Sequence, residues 1–358
     1  MVIGTRPEAI KLQPLAEALR TWGIVPTLLF TGQHGSLDPT AFGMDDFPQI
    51  HLGCPGVENP HSHVRSVIAA MIPVLRDRPE LLVVQGDTSS ALGGALAAST
   101  IGVPVAHVEA GLRTHDLQLP WPEEEYRTAI DAQAELLFAP TELAADNLRS
   151  ENVHGVIYVT GNTGIDALLE VESRLPTPMK RARDVPSILV TCHRREAWGN
   201  GLESIATAVK TLAAIACIDF VLHPNVFVAE QMRRLLEGTP GVSLLEPCGH
   251  AGLVRLMREA DLILSDSGGI QEEAPALGIP LLVLREKTER PEAITAGAAR
   301  LVGTGAEQIV AEARLVLDDP ITRAAMSRRV YPFGDGQAAG RIAAIIADWL
   351  QRKALERV

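Results

Sequence analysis

Four short polar clusters each follow an apolar, strand-like run, and together they suit acid/base chemistry on a substrate that carries phosphate. Two clusters supply carboxylates, Gly86–Thr88 and Glu109–Arg113. The other two supply cations and glycine-rich turns, His193–Glu196 and Ser267–Glu273. Because ligands of open α/β sheets bind beyond the carboxyl ends of the strands, we expect the four clusters to line a ligand site.

Two of the carboxylates stand at predicted strand ends. Asp87 is followed by Thr88 and two serines, which can cap the next helix, so we expect its carboxylate to be free for other work. Glu109 ends a very apolar run, where a buried carboxylate is costly unless it is paired or protonated. A structural ion pair with Arg113, the nearest cation along the chain, is the alternative to a chemical role for Glu109.

A third carboxylate, Glu123, follows the rigid segment Pro120–Pro122 and could be aimed inward from the start of a helix. Glu124 and Glu125 come directly after it. Acidic residues in a first helical turn interact favourably with the helix dipole, and that explanation is sufficient for these two.

Cations and glycine turns provide candidate phosphate contacts. In Gly4–Lys11, Arg6 and Lys11 lie near a predicted helix start, where the dipole disfavours cations unless an anion binds there; two solvated surface charges are the alternative. His193–Glu196 provides three potential cations at the end of a predicted strand, which suits the binding of a diphosphate. The Ser267–Gly269 turn lets backbone N–H groups approach phosphate at a helix start.

Two further residues of the second half complete the candidate nucleotide contacts. Glu273 lies one turn into the helix that follows the glycine turn, where it could bind the two hydroxyls of a ribose. Arg290 stands at another predicted helix start. Each signal is weak alone, but their joint placement in one α/β domain favours a nucleotide site.

Composition excludes several functional classes. The chain has 358 residues, is 46% hydrophobic and carries a formal net charge of −12, which argues against nucleic acid or anionic membranes as partners. No apolar stretch reaches the roughly 18 to 20 residues of a membrane span and no signal peptide is evident, so we expect a cytoplasmic protein. The four cysteines have no metal-binding spacing, and we expect reduced thiols.

Several common catalytic, phosphate-binding and metal-binding patterns are not found in the sequence. We recognise no Ser-His-Asp arrangement, P-loop lysine or GxGxxG motif, and we expect no metal. His61 and His63 are close together, but the polar segment Glu58–His63 is predicted to be a loop rather than a metal site.

Strand and helix patterns alternate along the whole chain, which predicts parallel sheets with right-handed crossovers. In the first half, the predicted strands are a very short Val2–Ile3, then Thr27–Phe30, Leu81–Gln85, Val103–Val108, Leu136–Ala139 and Val156–Val159. In the second half, they are Ile188–Thr191, Phe220–Leu222, Val242–Leu245, Leu262–Ser265 and Leu281–Leu284. The fold class is therefore α/β, with two similar domains facing each other across a cleft that would hold the ligand.

The domain boundaries follow from this alternation. The segment Glu172–Pro186 holds three prolines and several basic residues, and it is interpreted as a linker. We assign residues 1–165 to a first domain and 166–339 to a second. The last stretch, Gly340–Arg357, has the pattern of one amphipathic helix.

Taken together, these motifs closely resemble the non-hydrolysing UDP-N-acetylglucosamine 2-epimerases over nearly the whole chain. Eight motifs in order carry the resemblance: Gly4–Lys11, Gln85–Thr88, His107–Thr114, Trp121–Glu124, Thr160–Thr163, His193–Glu196, Ser267–Glu273 and Thr288–Ala293.

The resemblance implies a GT-B-like fold of two Rossmann-like domains, with a C-terminal helix, at about 340–358, that packs back on the first domain. It also implies a cytoplasmic homodimer that interconverts UDP-GlcNAc and UDP-ManNAc without a cofactor. The reaction implied is elimination of UDP to 2-acetamidoglucal followed by re-addition on the other face.

The resemblance also carries roles onto individual positions. Four residues match catalytic positions: Asp87, Glu109, Glu123 and His193. His193 also stands with Arg6 and Lys11 at positions that hold the diphosphate as charge develops on it. The remaining matches are to substrate and UDP positions: Arg113, Ser267, Gly268, Gly269, Glu273 and Arg290.

Several positions depart from the family pattern. Many members bind a second UDP-GlcNAc as an activator, and Gln33 and His34 match the start of that motif, whereas Gly35 and Ser36 do not. The segment His223–Val226 is a shortened form of another family motif, and the candidates for a regulatory site are Gln33, His34 and His223. His115 replaces a usual glycine. We hypothesise that activation by substrate is altered or lost, or that the sugar differs, for instance a UDP-diacetamido-uronic acid.

Three other functions compete with epimerisation. A GT-B glycosyltransferase shares the fold but needs no matched proton-transfer carboxylates, and a silent nucleotide-sugar sensor predicts their loss. A hydrolysing epimerase would release UDP and free ManNAc, but Arg6–Lys11 favours the non-hydrolysing branch. Asp87 and Glu109 on separate strands favour epimerisation.

Overall fold

The computed structural model describes residues 1–35, 37–77, 79–177, 185–192 and 200–356, and the chain divides into two compact units. The N-terminal unit comprises Met1–Ala167 and Phe333–Val358, and the C-terminal unit comprises Leu168–Pro332. In the sequence-based prediction, the corresponding boundaries are residues 165 and 340.

All paired strands of the N-terminal unit run parallel. Its strands are β1 (Val2–Ile3), β2 (Leu28–Phe30), β3 (Gln49–His51), β4 (Leu82–Gln85), β5 (Val105–Val108), β6 (Leu136–Ala139) and β7 (Val156–Val159). Hydrogen bonds join them in the orders β1-β2-β3 and β4-β5-β6-β7. Because β1 also contacts β4, the strand order reverses between these two, and ligands of such sheets bind at that reversal.

Helices follow most of these strands. They are α1 (Arg6–Thr21), α2 (Pro60–Val74), α3 (Ser89–Ile101), α4 (Glu123–Asp131), α5 (Glu142–Ser150) and α6 (Thr163–Arg174), with 3-10 helices at Pro39–Phe42 and Leu75–Asp77. Side chains cap the starts of α1, α2, α3 and α5, which satisfies N–H groups that a helix leaves open.

The C-terminal unit contains one six-stranded parallel sheet. Its strands are β8 (Ser187–Thr191), β9 (Cys217–Val221), β10 (Val242–Leu245), β11 (Leu262–Ser265), β12 (Leu281–Val283) and β13 (Ala299–Leu301). Their order is β10-β9-β8-β11-β12-β13, so the order reverses between β8 and β11. In the sequence, the two predicted phosphate clusters come after β8 and β11.

Seven helices of the described chain accompany this sheet. They are α7 (Asn200–Leu212), α8 (Val226–Leu236), α9 (His250–Glu259), α10 (Gly268–Leu277), α11 (Pro291–Thr295), α12 (Ala306–Asp318) and α13 (Pro320–Met326). The core of this unit is aliphatic and buried, as expected for parallel strands covered by helices.

The final helix, α14 (Ala338–Glu356), belongs to the N-terminal unit. Its Ile342 and Ile346 join the core that includes Leu12 and Leu15 of α1. Asp166 accepts hydrogen bonds from the Ala338 and Ala339 N–H groups, at 3.2 and 2.8 Å, which anchors the start of the helix. Burial raises the pKa of this carboxyl above its ordinary value, despite those bonds.

The predicted α/β alternation is confirmed. The structure has two strands that were not predicted, and it has a helix start where a loop was predicted. The short edge strands β3 and β13 lack the apolar run used to predict the others. The loop prediction for Glu58–His63 is wrong because Asn59 caps a helix that begins at Pro60. Within Glu172–Pro186, α6 extends to Arg174, and residues 178–184 lie outside the described residues. The described helices include none that could span a membrane.

Candidate active site

Glu109 lies directly after β5 in a conformation that is unusual for its residue type. Its φ is 70°, in the left-handed region that glycine favours, and its side chain is buried. A non-glycine residue held there stores strain, and such residues concentrate at functional sites. The backbone at the end of β5 therefore orients the Glu109 carboxylate.

Three N–H donors surround this carboxylate. Lys11 of α1 donates from Nζ to Oε1 at 2.6 Å, and Asn162 donates from Nδ2 to the same oxygen at 3.0 Å. Gln85, the last residue of β4, donates to Oε2. Three donors suit an ionised carboxylate, which only accepts hydrogen bonds. Lys11, predicted as a diphosphate contact, therefore also neutralises Glu109.

The carboxylate partners of Arg113 are Glu151 and Asp131, so the alternative of a local ion pair between Arg113 and Glu109 is not realised. Arg113 binds Glu151 through Nε at 2.8 Å and Nη2 at 2.7 Å, and its Nη2 also lies 2.7 Å from Oδ2 of Asp131. Nη1 donates to the Leu112 carbonyl at 2.8 Å. Burial alone would lower the pKa of Arg113. The contacts with Glu151 and Asp131 outweigh burial, and the pKa of Arg113 lies above its ordinary value. These contacts use all three guanidinium nitrogens.

Asp131 is a buried junction in the N-terminal unit. His107, on β5, approaches it at 2.6 Å through Nδ1, and the Gly111 N–H donates to it at 3.2 Å. Burial raises the pKa of Asp131, but the charges of His107 and Arg113 outweigh burial and hold the pKa below its usual range. Through Nε2, His107 also lies 2.8 Å from the Gly86 carbonyl, so this junction links the ends of β4 and β5 to α4.

Asp87 is partly exposed and bound to a residue that the sequence analysis did not single out. Arg127 of α4 donates from Nε to Oδ2 at 3.0 Å, and its Nη2 binds the same oxygen. Thr88 caps α3 by accepting from the Ala91 N–H at 3.0 Å, as the run of hydroxyl residues predicts. The expectation that the Asp87 carboxylate is free is wrong, because Arg127 reaches it across 40 residues of chain.

Glu123 and Glu124 begin α4, and the two differ in burial. Glu123 is half-buried, whereas Glu124 is 2% exposed. Glu124 accepts from the Thr114 and His115 N–H groups at 2.8 Å each, and from Arg127 Nη1 at 2.9 Å. The interpretation that Glu124 only serves the helix dipole is therefore wrong. It ties the segment after Glu109 to α4.

The start of α1 joins the Gly4–Lys11 cluster to the Asp87 cluster. Arg6 is exposed, while Glu8 is buried and accepts from the Gly4 and Thr5 N–H groups at 2.8 and 2.6 Å. Glu8 also accepts from the Thr88 hydroxyl at 2.6 Å. Burial raises the pKa of Glu8 to about 7, although these hydrogen bonds oppose the rise.

Two of the three residues assigned to a regulatory site lie beside this cluster. Gln33 accepts through Oε1 from the hydroxyls of Ser90 and Ser89, at 2.7 and 3.2 Å. The His34 N–H donates to the Gly4 carbonyl at 3.0 Å. Burial, followed by the positive charge of Arg6, lowers the pKa of the His34 imidazole.

The third regulatory candidate, His223, belongs to the C-terminal unit. It follows β9, and its Nδ1 accepts from the Asn225 N–H at 3.0 Å. Asn225 in turn caps α8 through a bond from the Phe227 N–H at 2.9 Å. His223 therefore lies in the turn that starts this helix.

The glycine turn of the C-terminal unit places a helix start directly after β11. The Ser267 N–H donates to Ser265 Oγ at 3.0 Å, and the Ser267 side chain does not cap α10. Gly268 packs against Arg290: a Cβ at Gly268 would lie 2.8 Å from Arg290 Nη1. Gly269 is less restricted, because its Cβ would meet no atom closer than Ser267 Oγ at 3.9 Å. The turn thus presents backbone N–H groups where an anion can bind.

Arg290 is buried among carboxylates. Its Nε donates to Glu272 at 2.6 Å, and its Nη1 binds Glu289. Glu289 also accepts from Arg285 at 2.9 Å, so a buried ion network supports the turn. Ion networks of this kind fix geometry, because removing one partner leaves an uncompensated buried charge.

One carboxylate oxygen of Glu273 is hydrogen-bonded to a histidine. His250, the first residue of α9, approaches Oε1 through Nε2 at 2.8 Å. Burial lowers the pKa of His250, but the hydrogen bond and negative charge of Glu273 outweigh it and raise the pKa above its ordinary value. The pair holds the Glu273 carboxylate in one orientation.

His193, with the rest of the His193–Glu196 cluster, lies outside the described residues, as does Ser36. Among the residues that the structure does describe, no group of three or more histidine, cysteine or acidic side chains could hold a metal ion.

Sequence reasoning missed the residues that hold the carboxylates. Arg127 and Glu124 are one helical turn apart, a spacing that permits an ion pair and is the signal that could have identified them. Asn162 lies in Thr160–Thr163, which contributed to the family resemblance without an assigned role. Gln85 ends β4, next to the strand that leads to Glu109, where a contact could be expected.

Comparison with known proteins gives a consistent result. The family model for UDP-N-acetylglucosamine 2-epimerase matches residues 18–347. The UDP-N-acetylglucosamine 2-epimerase of Salmonella typhimurium is 44% identical over 361 residues, covering 95% of this chain and 96% of that protein.

Solved structures agree with the sequence matches. The crystal structure of UDP-GlcNAc 2-epimerase from Neisseria meningitidis, bound to UDP-GlcNAc, has a TM-score of 0.90 and 36% identity, covering 97% of this chain and 98% of that one. Acinetobacter baumannii MurG shares the fold alone, with 13% identity, a TM-score of 0.61, and coverage of 97% of this chain and 98% of its own. The predicted GT-B-like fold class is confirmed. With matches over nearly its whole length, the chain belongs to the UDP-N-acetylglucosamine 2-epimerase family.

Proposed function

We propose that this protein interconverts UDP-GlcNAc and UDP-ManNAc by inverting the configuration at C2 of the sugar. The observation that carries the proposal is the grouping of three carboxylates in the N-terminal unit: Asp87 after β4, Glu109 after β5 and Glu123 at the start of α4. Contacts of His107 and Glu124 tie these three segments together. Family membership supplies the substrate class.

The chemistry explains why several carboxylates are needed. The C2 proton is not acidic, because no carbonyl group adjoins it. Loss of this proton as the C1–O bond to UDP breaks gives 2-acetamidoglucal, and the bond electrons leave with UDP. Re-addition of UDP with protonation on the opposite face yields the epimer. Proton transfer on two faces requires at least two groups, which Asp87, Glu109 and Glu123 can supply.

The leaving diphosphate requires positive charge as its bond to the sugar breaks. We assign this role to the exposed Arg6 and to Lys11 in the N-terminal unit, and to His193 by resemblance. In the C-terminal unit, the start of α10 and Arg290 supply donors for UDP. Electrostatic stabilisation of developing charge is often the largest single contribution to catalysis.

We also propose a cytoplasmic homodimer that acts without a cofactor. The four cysteines form no disulfide, which supports a reducing compartment. Light scattering coupled to gel filtration tests the assembly, and a monomer mass at micromolar concentration would contradict it.

Activation by a second substrate molecule is proposed to be altered or lost. Gln33, the first residue of the activator motif, has its side-chain oxygen bound by Ser89 and Ser90. We expect UDP-ManNAc alone to be turned over with a hyperbolic rate dependence. An absolute requirement for added UDP-GlcNAc would contradict this expectation.

The decisive experiment follows UDP-GlcNAc in deuterated water by proton NMR. UDP-ManNAc carrying deuterium at C2 is the expected product. UDP with free ManNAc would indicate a hydrolysing enzyme. If UDP-GlcNAc and UDP-ManNAc both remain unchanged while UDP-diacetamido-uronic acid is epimerised, the sugar assignment is wrong and the reaction type stands.

A further inference from the structure

The two carboxylate oxygens of Asp87 have different environments. Oδ2 accepts two N–H bonds from the Arg127 guanidinium, through Nε at 3.0 Å and through Nη2. Oδ1 has no hydrogen-bond partner among the described residues. The side chain is 29% exposed, so Oδ1 is the oxygen that a bound molecule can reach.

Arg127 is itself held in place. Its side chain is 2% exposed, and Nη1 donates to Glu124 Oε2 at 2.9 Å. The other oxygen of Glu124 accepts the Thr114 and His115 N–H groups at 2.8 Å each. A guanidinium is planar with donors at fixed angles, so these contacts leave it little freedom to rotate.

We propose that Arg127 is a positioning residue that selects the oxygen through which Asp87 transfers a proton. The inference rests on the proposed epimerisation. Arginine remains protonated in proteins, so Oδ2 is committed to the guanidinium and a proton can be carried only on Oδ1. When Asp87 acts as base, the C2 proton moves to Oδ1, the C2–H electrons form the C1–C2 double bond, and the C1–O electrons leave with UDP. In the opposite direction of the reaction, Asp87 acts as acid: a proton that Oδ1 has taken from solvent moves to C2, the electrons of the C1–C2 double bond form the new C2–H bond, and UDP re-adds at C1.

The same contacts set the position of Asp87 relative to the other carboxylates. Glu124 follows Glu123 directly at the start of α4, and Thr114 and His115 belong to the segment that follows Glu109. Arg127 and Glu124 together therefore join all three carboxylate-bearing segments, because Arg127 binds Asp87 and Glu124 while Glu124 binds the segment after Glu109. An error in its position would displace the reacting oxygen, and a displacement of 1 Å can cost about 100-fold in rate.

The first test replaces Arg127 by lysine and by methionine. Arg127→Lys keeps the charge but cannot reach both Asp87 and Glu124 with a fork of donors, and Arg127→Met keeps only the approximate volume. We expect kcat per UDP-binding site to fall about 100-fold in the lysine variant and further in the methionine variant, with KM within about threefold of wild type. UDP-binding sites are counted by calorimetry, so an unfolded fraction does not contribute to the comparison.

Arg300→Lys provides the matched control for the substitution itself. Arg300 pairs with Glu312 at 2.7 Å in the C-terminal unit and has no part in either candidate cluster. We expect this variant to retain kcat and KM. A purely structural role for Arg127 predicts fewer UDP-binding sites with unchanged kcat per site, and that result would overturn the proposal.

A double-mutant comparison isolates the action through Asp87. In the Asp87→Asn background, position 87 has no carboxylate to be oriented. Adding Arg127→Lys to it should therefore lower the rate of deuterium incorporation at C2, followed over long incubation, by less than about threefold. A full 100-fold loss in that background would mean that Arg127 acts elsewhere. Failure of the wild-type protein to turn over UDP-GlcNAc would refute the proposed function, whereas wild-type turnover with a fully active Arg127→Lys variant would refute the positioning role alone.

Discussion

The candidate groups of the two units are held by contacts of very different range along the chain. In the N-terminal unit, Lys11 reaches Glu109 across 98 residues, and Arg127 reaches Asp87 across 40. In the C-terminal unit, Arg290 pairs with Glu289 next to it and with Glu272, 18 residues away.

This difference separates two kinds of site. A nucleotide site that depends on one strand-to-helix turn is largely specified by a local motif, because the turn itself presents the donors. A proton-transfer site needs charges from several strands at fixed positions, so it depends on the whole sheet. We therefore expect substitutions in the N-terminal unit to lower kcat and to affect stability, and those in the C-terminal unit to raise KM.

The largest effect is expected for Glu109→Gln. Loss of a proton-transfer group typically costs about 10²- to 10⁴-fold, and we expect kcat to fall about 10³-fold with KM little changed. Glu273→Gln in the C-terminal unit is the matched comparison, since it also replaces a buried carboxylate by an amide. There we expect KM to rise with kcat retained, measured by NMR-detected epimerisation. A similar loss of kcat in both variants would refute the division between the units.

The sequence predicted the elements better than the contacts between them. The strands β6, β7, β10 and β11 have their predicted bounds, since each is a short apolar run with turn residues on both sides. Thr88 caps α3 as the local pattern indicates.

The ion pairs were not predictable in the same way. Proximity along the chain suggested Arg113 as the partner of Glu109, but the parallel sheet brings α1 and its Lys11 to the end of β5 instead. Similarly, Arg127 and Asp87 meet only because α4 packs near the end of β4. Such pairings depend on which strands are neighbours, and that is tertiary information.

The second prediction concerns the stability of the long-range pair. Lys11→Met removes the ammonium group that pairs with the buried Glu109, and breaking a buried pair by removing one partner typically costs about 3–5 kcal/mol of folding stability. We expect urea unfolding to report a loss of this size. The double variant Lys11→Met/Glu109→Gln should regain part of that stability, because the negative charge that Lys11 neutralises is then removed as well. An equal or larger loss in the double variant would show that packing, rather than charge, sets the cost.

The third prediction is a pH dependence that originates in Glu8. Its pKa is about 7 in the folded protein compared with an ordinary 4.5, so the folded state binds the proton more tightly than the unfolded chain does. The stability it contributes is fully present below about pH 4.5 and is lost as the pH rises through about 7.

The corresponding test compares the wild-type protein with Glu8→Gln. The raised pKa of Glu8 corresponds to a difference of roughly 3 kcal/mol in the free energy of unfolding between low pH, where Glu8 is protonated, and high pH, where it is ionised. Glutamine keeps an acceptor for the Gly4 and Thr5 N–H groups and does not titrate, so the wild type should lose stability relative to the variant between pH 5 and 8. Parallel pH profiles from urea unfolding would exclude Glu8 as the source.

The smallest effect should come from Gly268→Ala in the turn of the C-terminal unit. The added Cβ would lie 2.8 Å from Arg290 Nη1, and Glu272 and Glu289 restrain that guanidinium from moving away. Overpacking of this kind typically costs about 1–3 kcal/mol. Because the strain falls on the turn assigned to UDP binding, we expect KM to rise about tenfold with kcat within about twofold of wild type.

Gly269→Ala distinguishes two possible causes of the rise in KM expected for Gly268→Ala. Its Cβ would have Ser267 Oγ as nearest neighbour at 3.9 Å, so it adds the same methyl group to the same turn without pressing on Arg290. A smaller rise in KM for Gly269→Ala would assign the Gly268 effect to Arg290 and its ion network. Equal rises would mean instead that both glycines are needed for close approach of the diphosphate to the backbone. In that case the turn alone would specify the nucleotide site, and the contrast with the N-terminal unit would be sharper still.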